Sequence, residues 1–186
     1  MKKIYLLQSD VDGFCSFIQD YPDGEESIMG RSVDEPWVPF SDDYLPVKLE
    51  LSRNEHGKRN YQFDLSSALS PFFVISELAL DKLDNILSSR GQVLPVITES
   101  KRKKFFGYYP TNSLSGCFNS DKSVYRVAER GLIIEKPVLI AKNITDEYLF
   151  SIEEDISRVF VTDKFKQRVE EAGLLGFDFS VEIPLT

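Results

Sequence analysis

The chain has 186 residues, 42% hydrophobic and 28% charged, with 30 acidic against 22 basic side chains and a formal net charge of −8. That length supports one sizeable domain burying roughly 70% of its unfolded surface, with no need of metal or disulfide staples. An acidic balance argues against nucleic acid as the main partner, because phosphate binding needs a basic footprint, and it suits association with a basic protein.

Cys15 and Cys117 lie in no C-x-x-C pattern, and His56 is the one histidine. Those residues exclude a structural zinc site, and no cofactor is implied. Lys3 to Leu7 reads as a first strand. Its apolar part is shorter than the roughly 7–15 residues of a secretory h-region. No run approaches the roughly 20 apolar residues of a membrane span. The expectation is a cytoplasmic chain with reduced thiols and no membrane partner.

From Ser9 to Pro46 the sequence is rich in Asp, Glu, Gly, Pro and Ser. This composition predicts an irregular loop pinned to the core by aromatics such as Trp37, Phe40 and Tyr44. Val47, Leu49 and Leu51 alternate with polar residues, as do Tyr61, Phe63 and Leu65. With the polar run 52–60 between them, the two segments predict an antiparallel hairpin.

Phe72 to Ile75 then forms an apolar strand, Ser76 a natural N-cap, and Leu80, Leu83 and Leu87 one helix face. Gly91 stops that helix before a strand at Val93 to Ile97, where Pro95 predicts a sheet edge. Further strands are expected at Val124 to Ala128 and Leu132 to Ala141. The last segment repeats the order: a strand at Val159 to Val161, Asp163 as N-cap, and a face of Phe165, Val169 and Ala172. Gly173 supplies a left-handed stop, and Phe177, Phe179, Val181 and Ile183 alternate with polar residues as in a half-buried strand.

The expected fold class is α+β: a largely antiparallel sheet with two principal helices from two similar strand–helix–strand units. Phe73-Val74-Ile75-Ser76 corresponds to Phe160-Val161-Thr162-Asp163. One domain is expected over residues 1–186, with a loop-rich part at 1–66 and the α+β core at 67–186.

Asp10-Val11-Asp12-Gly13-Phe14 follows the first strand. Paired aspartates at a strand end are the arrangement of a magnesium-dependent phosphatase, with one as nucleophile and the other as acid/base. Phe14 departs from the usual motif, and the downstream lysine and acidic pair are absent, so a polar turn is the preferred reading. Lys101-Arg102-Lys103-Lys104 precedes Phe105, Phe106, Tyr108 and Tyr109, a mixture that can bind single strands. On an acidic chain it reads as a solvated turn beside core aromatics. His56 reads as an exposed loop residue. Acidic clusters at 20–26, at Asp42-Asp43 and at Glu153-Glu154-Asp155 can together frame exposed aromatics, here Trp37 and Tyr44, for protein recognition.

The order of motifs resembles bacterial immunity proteins of polymorphic toxin systems, immunity family eleven, first catalogued as a domain of unknown function. The residues that carry the resemblance are Lys3 to Leu7, Pro71-Phe72-Phe73-Val74-Ile75-Ser76 and Tyr108-Tyr109-Pro110-Thr111-Asn112. Cys117, Asp121, Ser123 and Tyr125 follow, with Cys117-Phe118-Asn119 where Cys-Leu-Asp is common. Leu149-Phe150, Val159 to Asp163 and Glu171 to Phe179 complete the match, which covers residues 70–186. The resemblance implies a non-enzymatic protein that neutralises a cognate toxin encoded by an adjacent gene, and it carries over no catalytic residue. The absence of a signal places that toxin's action in the cytoplasm. The alternatives are a phosphatase-like enzyme using Asp10 and Asp12, or an adaptor or chaperone for an effector. The partner surface is expected in the polar loops, Ser9 to Pro46 and Ser52 to Asn60, with Trp37, Asp42, Asp43, Tyr44, Glu153, Glu154 and Asp155 as candidate contacts.

Overall fold

Short strands carry most of the regular secondary structure of the computed structural model, which describes residues 2–20, 24–52 and 59–186. The first third holds β1 (Ile4–Leu6), β2 (Gln8–Ser9), β3 (Phe17–Gln19), α1 (Ile28–Asp34), β4 (Val47–Leu51) and β5 (Leu65–Ser66). The middle holds β6 (Phe73–Ser76), α2 (Glu77–Leu87), β7 (Gly91–Ile97), β8 (Phe105–Pro110) and β9 (Ser113–Leu114). The chain continues through β10 (Val124–Ala128), β11 (Gly131–Lys136), β12 (Leu149–Ile152), β13 (Asp155–Thr162), α3 (Asp163–Glu171) and β14 (Phe177–Asp178). The architecture is mixed, mostly strands with three α-helices among the described residues, and its sheets are rich in antiparallel pairs.

A six-stranded sheet runs β3-β4-β7-β8-β6-β5, and a four-stranded sheet runs β1-β13-β12-β9. Because side chains alternate along a strand, Phe73 and Ile75 of β6 enter one core while Phe72 and Val74 enter another. Buried on both faces, this segment is a continuous apolar run. The first core lies between the sheets, where Tyr5, Val159 and Val161 meet Phe73, Ile75 and Tyr108. Helix α2 adds Ala79, Leu83, Ile86 and Leu87 to it, and α3 adds Phe165 and Val169. The six-stranded sheet curls until its outer strands touch, the Phe17 amide donating to Ser66 Oγ at 3.0 Å. The second core fills its inner face with Phe17, Phe63, Phe72 and Phe105. A third core, with Ile4, Phe150, Ile152 and Phe160, backs the four-stranded sheet.

Close backbone approach explains one glycine. A Cβ on Gly107 would lie 2.2 Å from Cζ of Phe72, a ring with no exposed surface. Gly107→Ala is therefore expected to destabilise the fold by about 1–3 kcal/mol through overpacking, read as a lower urea midpoint with an unchanged slope.

Several sequence expectations are corrected. Segments 47–51 and 61–65 form no hairpin: β4 pairs antiparallel with β3 and parallel with β7, so both its edges are taken. Tyr61 and Phe63 alternate because they pack around Phe17 and Phe105, and only Leu65 and Ser66 form a strand, against β6. Pro95 marks no edge, since β7 lies inside the sheet; pairing with β8 covers Gly91 to Pro95, and pairing with β4 begins at Val96. A proline there leaves no ladder amide missing. Thr162, not Asp163, occupies the N-cap of α3, and its hydroxyl donates to the Glu147 carbonyl instead of capping.

Gly173 does close α3 with φ of +66°, its amide donating to the Glu170 carbonyl. The final strand is shorter than its alternation implies. Phe177 and Asp178 pair with β2, and beyond them the Asp178 carboxylate accepts from the Ser180 amide at 2.8 Å. The first 66 residues are more regular than their composition suggests, contributing β1 to β5 and α1. Helix α2 lies between β6 and β7 in the chain, and α3 between β13 and β14. Strands β6 and β7 both flank β8, whereas β14 leaves the sheet of β13 for β2.

Candidate functional site

The candidate surface is built at one end of the six-stranded sheet by the segment that the sequence presents as loop. Ser27 opens α1, its Oγ accepting from the Gly30 amide at 3.0 Å, and Ile28 and Ser32, four residues apart, turn inward. After Glu35 the chain folds back through Trp37, a non-glycine residue at φ +65°. Tyr109 fastens this turn. Its Oη accepts from the Trp37 amide at 2.8 Å and donates to the Ser32 carbonyl at 2.7 Å, and its ring stacks on the indole with centroids 6.3 Å apart. Gln92 holds the next stretch, accepting from the Phe40 amide and donating to the Phe40 carbonyl. Tyr44 Oη donates to the Pro95 carbonyl at 2.8 Å. The whole segment is thereby held against β7 and β8.

Outside this framework lie two adjoining clefts, about 690 Å³ and 380 Å³, that share Glu26, Arg31 and Asp43. Their walls carry Asp20, Glu25, Glu26, Asp34, Glu35 and Asp43 against Arg31 and Lys48. Both bases are already engaged, Arg31 with Asp43 at 3.7 Å and Lys48 with Asp20 at 3.3 Å. Among the described residues no basic side chain pairs with Glu25, Glu26 or Glu35. Such a concave surface concentrates negative potential and attracts cationic groups. Leu45, 76% exposed, and Val38 add apolar area at the rim.

The named candidates separate. Asp43 lines both clefts and Tyr44 sits half-buried beside them, while Asp42 is exposed but lines neither. Trp37 is corrected: at 7% exposure it is part of the core and not a surface anchor, because the turn after α1 folds its ring onto Tyr109. The cluster at 153–155 belongs to the turn between β12 and β13, on the other sheet. Glu153 is exposed and Glu154 half-buried, but Asp155 is buried and structural. Asp155 Oδ1 accepts from the Ser157 and Arg158 amides, and Oδ2 lies 2.8 Å from Arg158 Nη1.

Asp10 Oδ1 accepts from the amides of Asp12 and Gly13, the geometry of an Asx turn, while Asp12 is exposed. No group of three metal-ligating side chains is assembled among the described residues. The basic run 101–104 is partly tied down, Lys103 to Asp64 at 2.9 Å and Lys104 to Glu77 at 3.4 Å. Phe105, Tyr108 and Tyr109 beside it are buried and so offer no stacking platform. Burial, with a smaller contribution from the Glu154 carboxylate, pushes the Cys117 thiol above its ordinary value, the opposite of an activated nucleophile. His56 and segment 53–58 lie outside the described residues, as do residues 21–23 of the first acidic cluster.

Sequence reasoning grouped 20–26 and 42–43 with 153–155 around exposed aromatics and missed α1, which brings residues of the first two together at one groove. The available signal was Ser27 as an N-cap, followed by Ile28 and Ser32 at helical spacing.

Burial pushes the Tyr44 phenol up to about 12 from its ordinary 10, against smaller opposing effects of the Val47 main chain and the Arg31 charge. The folded chain therefore holds this proton where the unfolded chain has lost it. Its stabilising contribution is complete below pH 10 and disappears as pH rises through 12. Burial shifts Tyr108 and Tyr109 in the same direction. Urea midpoints should hold steady up to pH 9 and fall above pH 10, less steeply in Tyr44→Phe. At neutral pH that variant should lose about 0.5–1.5 kcal/mol with the hydrogen bond to Pro95.

Among the described residues no helix is long and apolar enough to cross a membrane. No known protein family matches the chain, and neither does any curated protein sequence.

Proposed function

We propose that the chain is a non-enzymatic immunity protein that binds a cognate toxin in the cytoplasm and neutralises it, docking a basic surface of the toxin on the acidic groove around α1. The observation that carries this reading is the convergence of six carboxylates on one rigidly backed groove with an apolar rim. Charged walls steer encounter and set specificity, and the apolar rim supplies the part of the affinity that salt does not screen. The net charge of −8 adds long-range attraction for a basic partner. The resemblance to immunity family eleven supports the same reading. We also read β6-α2-β7 and β13-α3-β14 as two similar units forming the scaffold, with the segment around α1 as the working surface held out from it.

Co-expression with the toxin domain encoded by the adjacent gene tests the proposal. Growth should be restored, the two proteins should elute as one complex, and the toxin should be inactive within it. A complex that retains toxin activity would instead identify an adaptor or chaperone. Absence of any association would remove the reading. An enzyme acting through Asp10 and Asp12 would protect only with both carboxylates intact, whereas Asp10→Asn with Asp12→Asn should leave protection unchanged under the binding mechanism.

A further inference from the structure

We propose that the β10–β11 hairpin is the second half of the same docking surface, an apolar arm that the toxin covers when its basic groups enter the groove. This inference rests on the immunity reading above. The hairpin forms a sheet of its own, with no third strand on either edge among the described residues. A two-stranded ribbon is marginally stable alone in water, and open edges are normally protected. At its base the ribbon is anchored: Ile134 is buried, and Tyr125 packs edge-on against Phe118 with centroids 5.5 Å apart. Towards its tip it is bare. Val127, opposite Leu132 on one face of the ribbon, is 79% exposed, and Ile133, opposite Arg126 on the other face, is also exposed, so an occupant must clasp the tip from both sides.

The tip lies beside the acidic groove. Arg130, in the turn of the hairpin, reaches Asp34 at 3.4 Å, and Asp34 is part of the groove wall. Val38, exposed on that same wall, extends the apolar area. A basic surface drawn to the groove therefore arrives beside the aliphatic tip. The ribbon's own charges, Arg126, Arg130 and Lys136 against Glu129 and Glu135, nearly balance. Its contribution is consequently apolar, affecting dissociation, while the groove governs association and its salt dependence.

The test titrates the toxin domain encoded by the adjacent gene against wild type, Val127→Ser/Ile133→Ser and Glu26→Lys/Asp43→Lys at two salt concentrations. The hairpin variant should raise Kd about tenfold through faster dissociation, with the salt slope and thermal midpoint of wild type. Should the double variant lower the thermal midpoint, Val127→Ser alone, at an exposed position, should still weaken binding about threefold. Hairpin variants within twofold of wild type, alongside a weakened groove variant, would place the hairpin outside the interface and leave the docking reading standing. A wild-type chain that does not bind this toxin would overturn both.

Discussion

Asp64→Ala is expected to lower the stability of the fold by about 3 kcal/mol or more, the largest loss from any single side chain considered. Asp64 is 2% exposed, and its carboxylate holds three elements together. Oδ1 accepts from Ser76 Oγ at 2.7 Å and lies 2.9 Å from Lys103 Nζ, while Oδ2 accepts from the Leu175 amide at 2.8 Å. Ser76 Oγ in turn accepts from the Ala79 amide and caps α2. Alanine would leave a half-buried ammonium, a buried hydroxyl and a part-buried amide without their acceptor, and each uncompensated group carries a desolvation penalty in proportion to its burial. The main chain adds one bond from the Asp64 amide to the Leu175 carbonyl and one from the Ser76 amide to the Asp64 carbonyl, so the residue joins β5, the start of α2 and the turn after α3.

For a domain of this size the loss corresponds to a fall of about 6–12 °C in Tm. Asp64→Asn, which preserves the shape and an acceptor oxygen, should lose about half as much. A cost below about 1 kcal/mol for the alanine variant would show that water replaces the carboxylate freely.

Reversing two groove charges, Glu26→Lys with Asp43→Lys, is expected to weaken toxin binding about 100-fold, equivalent to about 2.8 kcal/mol. Both residues line both clefts. Like charges brought together across an interface cost several kcal/mol, so two reversals in a groove lined by six carboxylates against Arg31 and Lys48 comfortably reach that figure. Most of the change should appear in the association rate, and the salt dependence of that rate should flatten. Folding should be little affected, because Asp43 loses an exposed pair with Arg31, a kind that contributes about 0–1 kcal/mol, and an exposed hydrogen bond from Ser41 Oγ. Asp42→Lys, at a position lining neither cleft, serves as the matched control and should change affinity by less than about threefold.

The parts of this fold legible in the sequence are those whose pattern is local. Ser76 as a cap, the α2 face, and Gly173 as a left-handed stop follow from spacing within a dozen residues, and all three are present. Pairing partners were not legible in the same way. The alternation of Tyr61, Phe63 and Leu65 looks like a strand because burial of aromatics every second residue gives the same period as a ladder. The residues that pair with β4 lie some thirty positions before their partners and nearly fifty after, so no local signal announced them.

The site shows the same division. The sequence displays its acidic clusters openly, but whether two clusters share a groove depends on Tyr109 and Gln92, which pin the segment after α1 from distant strands. Trp37 illustrates the reverse. An aromatic in a polar, proline-rich stretch reads as a surface anchor, and a single backbone turn at φ +65° places it inside.

Hydrogen–deuterium exchange on the complex with the toxin from the adjacent gene tests the central claim most directly. Docking on the acidic groove predicts that amides of α1 and of residues 38–48 gain protection on binding, while the β12–β13 turn around Asp155 exchanges as in the free protein. Protection confined to the β12–β13 turn or to residues 101–104, with α1 unchanged, would contradict it.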